Sequence, residues 1–160
     1  MDHLPRIALG TVQDDSDQHW MAWALINVLE QVGVQVQPFL AQSRFCCPNS
    51  SFSPHGPGPR HLDSWLMPQQ LCGELFVHGT QAADLAVVMG QYSGDATDDE
   101  CGGRFETLCQ WLELPQLAVI DATKLNVCVP PILPSGVDGL LLNHVRSVEE
   151  MCRLQAELES

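Results

Sequence analysis

Basic residues are scarce in this chain. Lys124 is the only lysine, and lysine plus arginine total seven against twenty acidic residues, for a net charge of −13. Such an acidic balance opposes contact with nucleic acid or an anionic membrane, whose own charge it repels. No apolar run approaches the length that crosses a bilayer. The first residues, MDHLPRIALG, lack a basic stretch followed by an apolar one, so no secretory leader is expected. Seven cysteines are scattered along the chain, with no Cys-x-x-Cys pair among them. An odd, dispersed set fits reduced thiols, and the expected compartment is the cytoplasm. No repeat or heptad pattern divides the sequence, and residues 1–160 read as one domain.

What is present is organised around Arg6 to Trp20, RIALGTVQDDSDQHW. Ile7, Ala8 and Leu9 form a short strand that ends at Gly10, a polar loop follows, and an amphipathic helix begins near Ser16. Strand, glycine-containing loop and helix is the layout of a phosphate-binding loop, where backbone N–H groups and the helix dipole meet an anion. Here the loop carries Asp14, Asp15 and Asp17 and no lysine. The architecture points to a nucleotide site, and its residues argue against a working one. The three aspartates read first as helix caps that complement the dipole, and second as ligands for a hard cation.

The first helix is expected over 16–31, closed by Gly33 as its C′ residue. A strand over 34–39 sets Val34, Val36 and Pro38 on one face and Gln35 and Gln37 on the other. Residues 40–60 form a long segment rich in Pro, Gly and Ser, a length that is usually functional or disordered. A helix over 68–78 stopped by Gly79, an apolar strand over 84–89 and an acidic loop over 90–103 come next. A helix over 104–112 and strands over 117–121 and 139–143 follow. The last helix starts at Ser147, with Glu150 at capping-box spacing. This alternation predicts an α/β fold, with a mainly parallel sheet and helices on both faces. Ligands of such sheets bind beyond the carboxyl ends of the strands, where the loops after the first three strands converge.

The segments PRIALGT, VQPFLAQSRFCCP, LDSW, ADLAVVMG, LAVIDA and DGLLLNHV occur in a telling order and spacing. Together they resemble the ATP-binding domain of the cobyrinic acid a,c-diamide synthase family, within the dethiobiotin synthetase-like P-loop class. The resemblance runs from Pro5 to Val145 and implies a P-loop NTPase-like fold. It implies that Gly10, Thr11 and Asn143 are vestiges of a nucleotide site, Asn143 matching a base-contacting Asn. It places Asp63 and Ser64 on the substrate side.

The departures from the family fall on the chemistry. Asp17 and Gln18 stand where the family has its phosphate-binding Lys and magnesium-binding hydroxyl. Leu40, Arg44 and Cys47 stand where its second loop has a Lys and acidic residues, and Met89 precedes Gly90 where it has a magnesium-associated Glu. Exchanging a cation for a carboxylate reverses an interaction of about 4 kcal/mol at roughly 4 Å and an effective dielectric near 20. The resemblance also leaves the family's glutamine amidotransferase domain without a counterpart in this sequence.

The expected function is therefore that of a degenerate, non-catalytic relative acting as a binding or assembly module. No catalytic residue, metal or cofactor is assigned, and a protein partner or a second copy is expected. The alternative is an ATP-dependent amidoligase with an altered phosphate loop, using ATP and Mg, with Arg44 or Arg60 as its cation. A third reading, metal or small-molecule carriage by Cys46, Cys47, His55 and His61, is opposed by the poor chelation of one zinc by adjacent cysteines. Trp65 is expected to pack, Cys109 to lie on a buried helix face and His19 to be a polar surface or cap-proximal residue, while His144 receives no role.

Overall fold

The computed structural model describes residues 4–13, 18–41, 57–93, 103–125 and 133–158. The elements are β1 (Arg6–Thr11), α1 (Gln18–Gln31), β2 (Val36–Ala41), β3 (Arg60–Leu62), α2 (Gln69–Gly79) and β4 (Leu85–Gln91). They continue as α3 (Phe105–Trp111), β5 (Gln116–Asp121), a 3-10 turn (Ala122–Lys124), β6 (Gly139–Asn143) and α4 (Val148–Leu158). The six strands form one sheet in the order β3-β2-β4-β1-β5-β6. Every pairing is parallel.

Strand alternation divides the core into two layers. Ala8, Phe39, Leu62, Ala86, Val88 and Ala118 face Cys72 and Phe76 of α2 and Phe105, Leu108 and Cys109 of α3. Leu9, Val36, Leu40, Val87, Met89 and Val119 face Ala22 and Ile26 of α1. Helices thus cover both faces, as the sequence predicts. The mostly apolar runs of β2 and β4 are those of strands covered on both sides.

The helix ends follow their local chemistry. Gly33 has φ +87°, its N–H donates to the Glu30 carbonyl at 3.0 Å, and Val34 N–H donates to the Leu29 carbonyl at 3.0 Å. Those two bonds are the pair that a Schellman C-cap makes, and the positive φ is why glycine stands there. At α4 the Glu150 N–H donates to Ser147 Oγ at 3.1 Å, one half of the capping box. Glu150 Oε2 accepts from the N–H of Arg146 at 2.8 Å, one residue upstream of the expected return bond.

Several expectations need correction. β1 runs to Thr11, so Gly10 and Thr11 lie within the strand and not in the loop after it. β2 begins at Val36 and ends at Ala41. Gln37, placed on a polar face by its alternation, is buried, with Nε2 donating to the Pro38 carbonyl at 2.9 Å and the Gly58 carbonyl at 3.2 Å. The chain entering β3 supplies that second acceptor. β3, a strand not expected from the sequence, begins where the Pro- and Gly-rich segment ends, and it joins the sheet edge through Phe39↔Arg60 and Ala41↔Leu62. Thr80, and not Gly79, caps α2, with Oγ1 donating to the Phe76 carbonyl at 2.9 Å.

Candidate functional site at the carboxyl ends of the strands

The sheet register sets the candidate Gly10 beside Gly90. Gly10 pairs with Gly90 on one side and with Ala118 on the other. These three small residues form a floor beneath Phe105, the first residue of α3. A Cβ on Gly10 would overlap the rings of both Phe105 and Tyr92, and one on Gly90 would overlap the Phe105 ring. The two rings meet edge to face, with centroids 5.2 Å apart. Gly10 therefore has a packing duty inside the core. Thr11 is buried beside it, and its carbonyl accepts the Tyr92 N–H at 2.9 Å.

Met89 lies near the end of the buried run of β4, which Gly90 closes. It is 4 % exposed and lies in the apolar cluster with Leu9, Leu40 and Val119. An ionised carboxylate there would lose its hydration among aliphatic side chains. Asp63 and Ser64 form the turn after β3. Asp63 Oδ1 accepts N–H bonds from Trp65 at 2.9 Å and Leu66 at 3.1 Å, and Ser64 Oγ donates to the Arg104 carbonyl at 3.1 Å. A Cβ on Gly103 would lie 2.6 Å from Asp63 Oδ1 and 2.8 Å from the Ser64 N. The LDSW turn is thereby seated on the start of α3, and both its polar side chains serve that junction. Trp65, expected to pack, is 64 % exposed, and Leu66 beside it is exposed too, while Leu62 and Asp63 before them are buried.

The strands β5 and β6 end side by side at Asp121↔Asn143. Asn143 Oδ1 accepts the His144 N–H at 2.9 Å, and His144 adopts φ +58°. Its Nδ1 lies 3.2 Å from Asp121 Oδ1, which also accepts Thr123 N–H at 2.9 Å and Thr123 Oγ1 at 2.7 Å. Burial pushes the Asp121 acid up, but the bonds from Thr123 and His144 outweigh it and hold the carboxyl below its usual value. Asp121 is also tied through its backbone: its N–H donates to Gln13 Oε1 at 2.7 Å, and its carbonyl accepts from Gln13 Nε2 at 3.3 Å. Sequence reasoning left Gln13, Asp121 and His144 without a role. The available signal was an Asp and a His at the ends of consecutive strands, informative only once their parallel register is known.

Other candidates separate. Gln18 opens α1, and Asp14, Asp15, Ser16 and Asp17 lie outside the described residues, as do Arg44, Cys46, Cys47 and His55. Arg60 is exposed at the start of β3. His61, opposite Leu40, has a buried Nδ1 with no hydrogen-bond partner. Among the described residues no group of three His, Cys, Asp or Glu side chains is placed to hold a metal ion. Cys109 is buried on α3 as expected, and desolvation pushes its thiol up to about 12; the Cys72 thiol is raised for the same reason.

The all-parallel sheet with helices on both faces is an α/β architecture consistent with a P-loop NTPase-like domain. No family model matches the sequence. The chain is similar to the hydrogenobyrinate a,c-diamide synthase of Streptomyces coelicolor, at 27 % identity over 98 % of this chain and 34 % of that protein. It is similar also to the cobyrinate a,c-diamide synthase of Magnetococcus marinus, at 27 % identity over 98 % of this chain and 35 % of the relative. The hydrogenobyrinate a,c-diamide synthase of Mycobacterium tuberculosis is 28 % identical over 88 % of this chain and 34 % of its own length. The chain thus spans about a third of the curated relatives it matches, and its likeness is to the synthases that its motifs resemble. Among the described residues no helix is long and apolar enough to cross a membrane.

Proposed function

We propose that this chain is a non-catalytic relative of the nucleotide-binding part of the cobyrinate a,c-diamide synthases, acting as a binding or assembly module. The observation that carries the reading is Met89. By resemblance its position is that of a magnesium-associated acid, and here the side chain is buried among Leu9, Leu40 and Val119. Gly10, Asp63 and Ser64, three of the motif residues the chain keeps, are engaged in packing and turn formation. The acidic loop of Asp14, Asp15 and Asp17 adds charge of the wrong sign for a polyphosphate. A protein partner or a second copy of the chain is the occupant this reading calls for, in the cytoplasm.

The alternative, an ATP-dependent amidoligase with an altered phosphate loop, draws on the names of the relatives. One experiment separates the two. A ligand at about 100 times its Kd stabilises a native state by roughly 2.7 kcal/mol, a Tm rise of about 5–10 °C for a domain of this size. Thermal denaturation in millimolar ATP and magnesium, with calorimetric titration beside it, is expected to show no shift and no heat. A magnesium-dependent rise would overturn the non-catalytic reading and favour the amidoligase.

A further inference from the structure

Helix α1 faces the sheet with Ala22 and Ile26, and a helix so placed ordinarily turns a polar face to water. α2 does so: its outward row at a spacing of four is Gln70, Glu74 and His78. The matching row of α1 is Trp20, Ala24, Val28 and Val32, all exposed. Trp20 is 67 % exposed, Val28 57 % and Val32 72 %. The row keeps helical geometry to its end, because Val32 N–H donates to the Val28 carbonyl at 3.3 Å, one residue beyond α1. Glu30 is the only acidic residue of α1, which has no Lys or Arg, in a chain of net charge −13. The row is thus an uncharged apolar strip on an acidic protein.

We propose that this strip is the contact by which two copies of the chain pair, their α1 helices crossing antiparallel about a two-fold axis. Such pairing rests on the assembly reading and supplies its partner. Two observations choose a second copy. Chains carrying −13 each repel, and they approach most easily where neither presents charge. A basic partner would find no carboxylate in the row Trp20, Ala24, Val28 and Val32. The order of sizes is also self-complementary. An axis midway between Ala24 and Val28 sets Ala24 against the partner's Val28 and Trp20 against the partner's Val32. The bulkiest side chain of each copy then meets a smaller one, and the backbones come closest at alanine. Rows of this spacing pack into one another with the helix axes inclined by about 50°. The strip is about 18 Å long at 1.5 Å per residue, which places the interface at the small end, below roughly 1,200 Å² in total. The dimer is therefore reversible, with a Kd in the micromolar range.

The test is sedimentation velocity on the full chain from micromolar to millimolar concentration. A reversible rise from monomer to dimer is expected, and high salt should strengthen it by screening the repulsion between copies. Ala24→Glu and Val28→Lys, each alone, should weaken pairing by about tenfold or more, since each buries an unpaired charge at the axis. Both positions are exposed, so each variant should keep the circular dichroism of the wild type. Mixed together, the two variants should pair again, because the antiparallel axis sets the new acid against the new base. A wild-type chain that is monomeric up to millimolar concentration would overturn the proposal, and that series needs no variant to fold. Pairing that salt weakens, pairing that both variants leave unchanged, or a mixture no more associated than its components would overturn it as well. A monomer would not touch the non-catalytic reading, which is judged by ATP and magnesium. A magnesium-dependent rise in Tm would in turn not touch the dimer.

Discussion

Replacing Gly10 by Ala tests whether this glycine serves the core or a ligand. A Cβ at Gly10 would overlap the Phe105 and Tyr92 rings, and both rings are almost fully buried. Neither can swing into solvent: Phe105 lies on Gly90 as well, and the Tyr92 hydroxyl donates to Gln116 Oε1 at 3.3 Å. Overpacking of this kind costs typically 1–3 kcal/mol. We expect about 2 kcal/mol, seen as a fall in Tm of roughly 4–8 °C. The assay is urea denaturation followed by tryptophan fluorescence, which separates a lower midpoint from an altered slope. Gly10→Ala combined with Phe105→Leu should be less destabilised than the sum of the single variants by about 1 kcal/mol or more, since the shorter side chain vacates the space. A single variant within 0.5 kcal/mol of wild type would refute the argument, as would strict additivity in the double variant.

Two further outcomes follow from the titrating groups. The depressed acid of Asp121 contributes stability that is present above the ordinary Asp value near 3.9 and is lost as pH falls through the lower folded value. Thr123→Val removes a hydroxyl that donates to this carboxylate, so urea midpoints between about pH 2 and 5 should depend less steeply on pH in the variant; identical profiles would remove Asp121 from the account. The buried thiols of Cys72 and Cys109, both raised by desolvation, should resist a thiol reagent at pH 8 in the native state. The exposed Cys152 should react at once; mass-spectrometric mapping that finds Cys109 labelled as fast as Cys152 would contradict the burial seen here.

The fold was legible because its signals are local and repeated. The apolar run of β4, the helix stop at Gly33 and the capping pair at Ser147 each act within a few residues of themselves. The edge strand β3 was not legible. Three residues carry it, and its pairing with Phe39 to Ala41 crosses a long intervening segment. Gln37 was misplaced because alternation describes a strand with one wet face, and β2 has none. The site was harder still. Asp121 and His144 meet only through the β5–β6 register, and Gln13 reaches Asp121 across more than a hundred residues of sequence.

Motif residues of this chain divide by whether the structure gives them a second duty. Gly10 and Gly90 leave room for Phe105, and Asp63 and Ser64 build the turn that seats β3 against the start of α3. Each of these would be costly to change even in a protein that binds no nucleotide, because its replacement disturbs a buried ring, leaves backbone N–H groups without an acceptor or takes a donor from a backbone carbonyl. A phosphate-binding lysine, a magnesium-binding hydroxyl and a metal-associated acid have no such duty: their side chains act on a ligand. On the proposed non-catalytic reading, an apolar residue near the end of β4 is the better neighbour for Leu9, Leu40 and Val119, and Met89 fills that place. The pattern that first looked like a nucleotide loop with its chemistry removed is then the pattern expected of a parallel α/β scaffold under packing constraints alone. That reasoning makes Met89 the sharper probe of the family site. If Met89→Glu is both stably folded and able to confer magnesium-dependent nucleotide binding, the buried methionine is a late occupant of an otherwise competent site; if it unfolds the domain, the surrounding core has already been rebuilt around an apolar side chain.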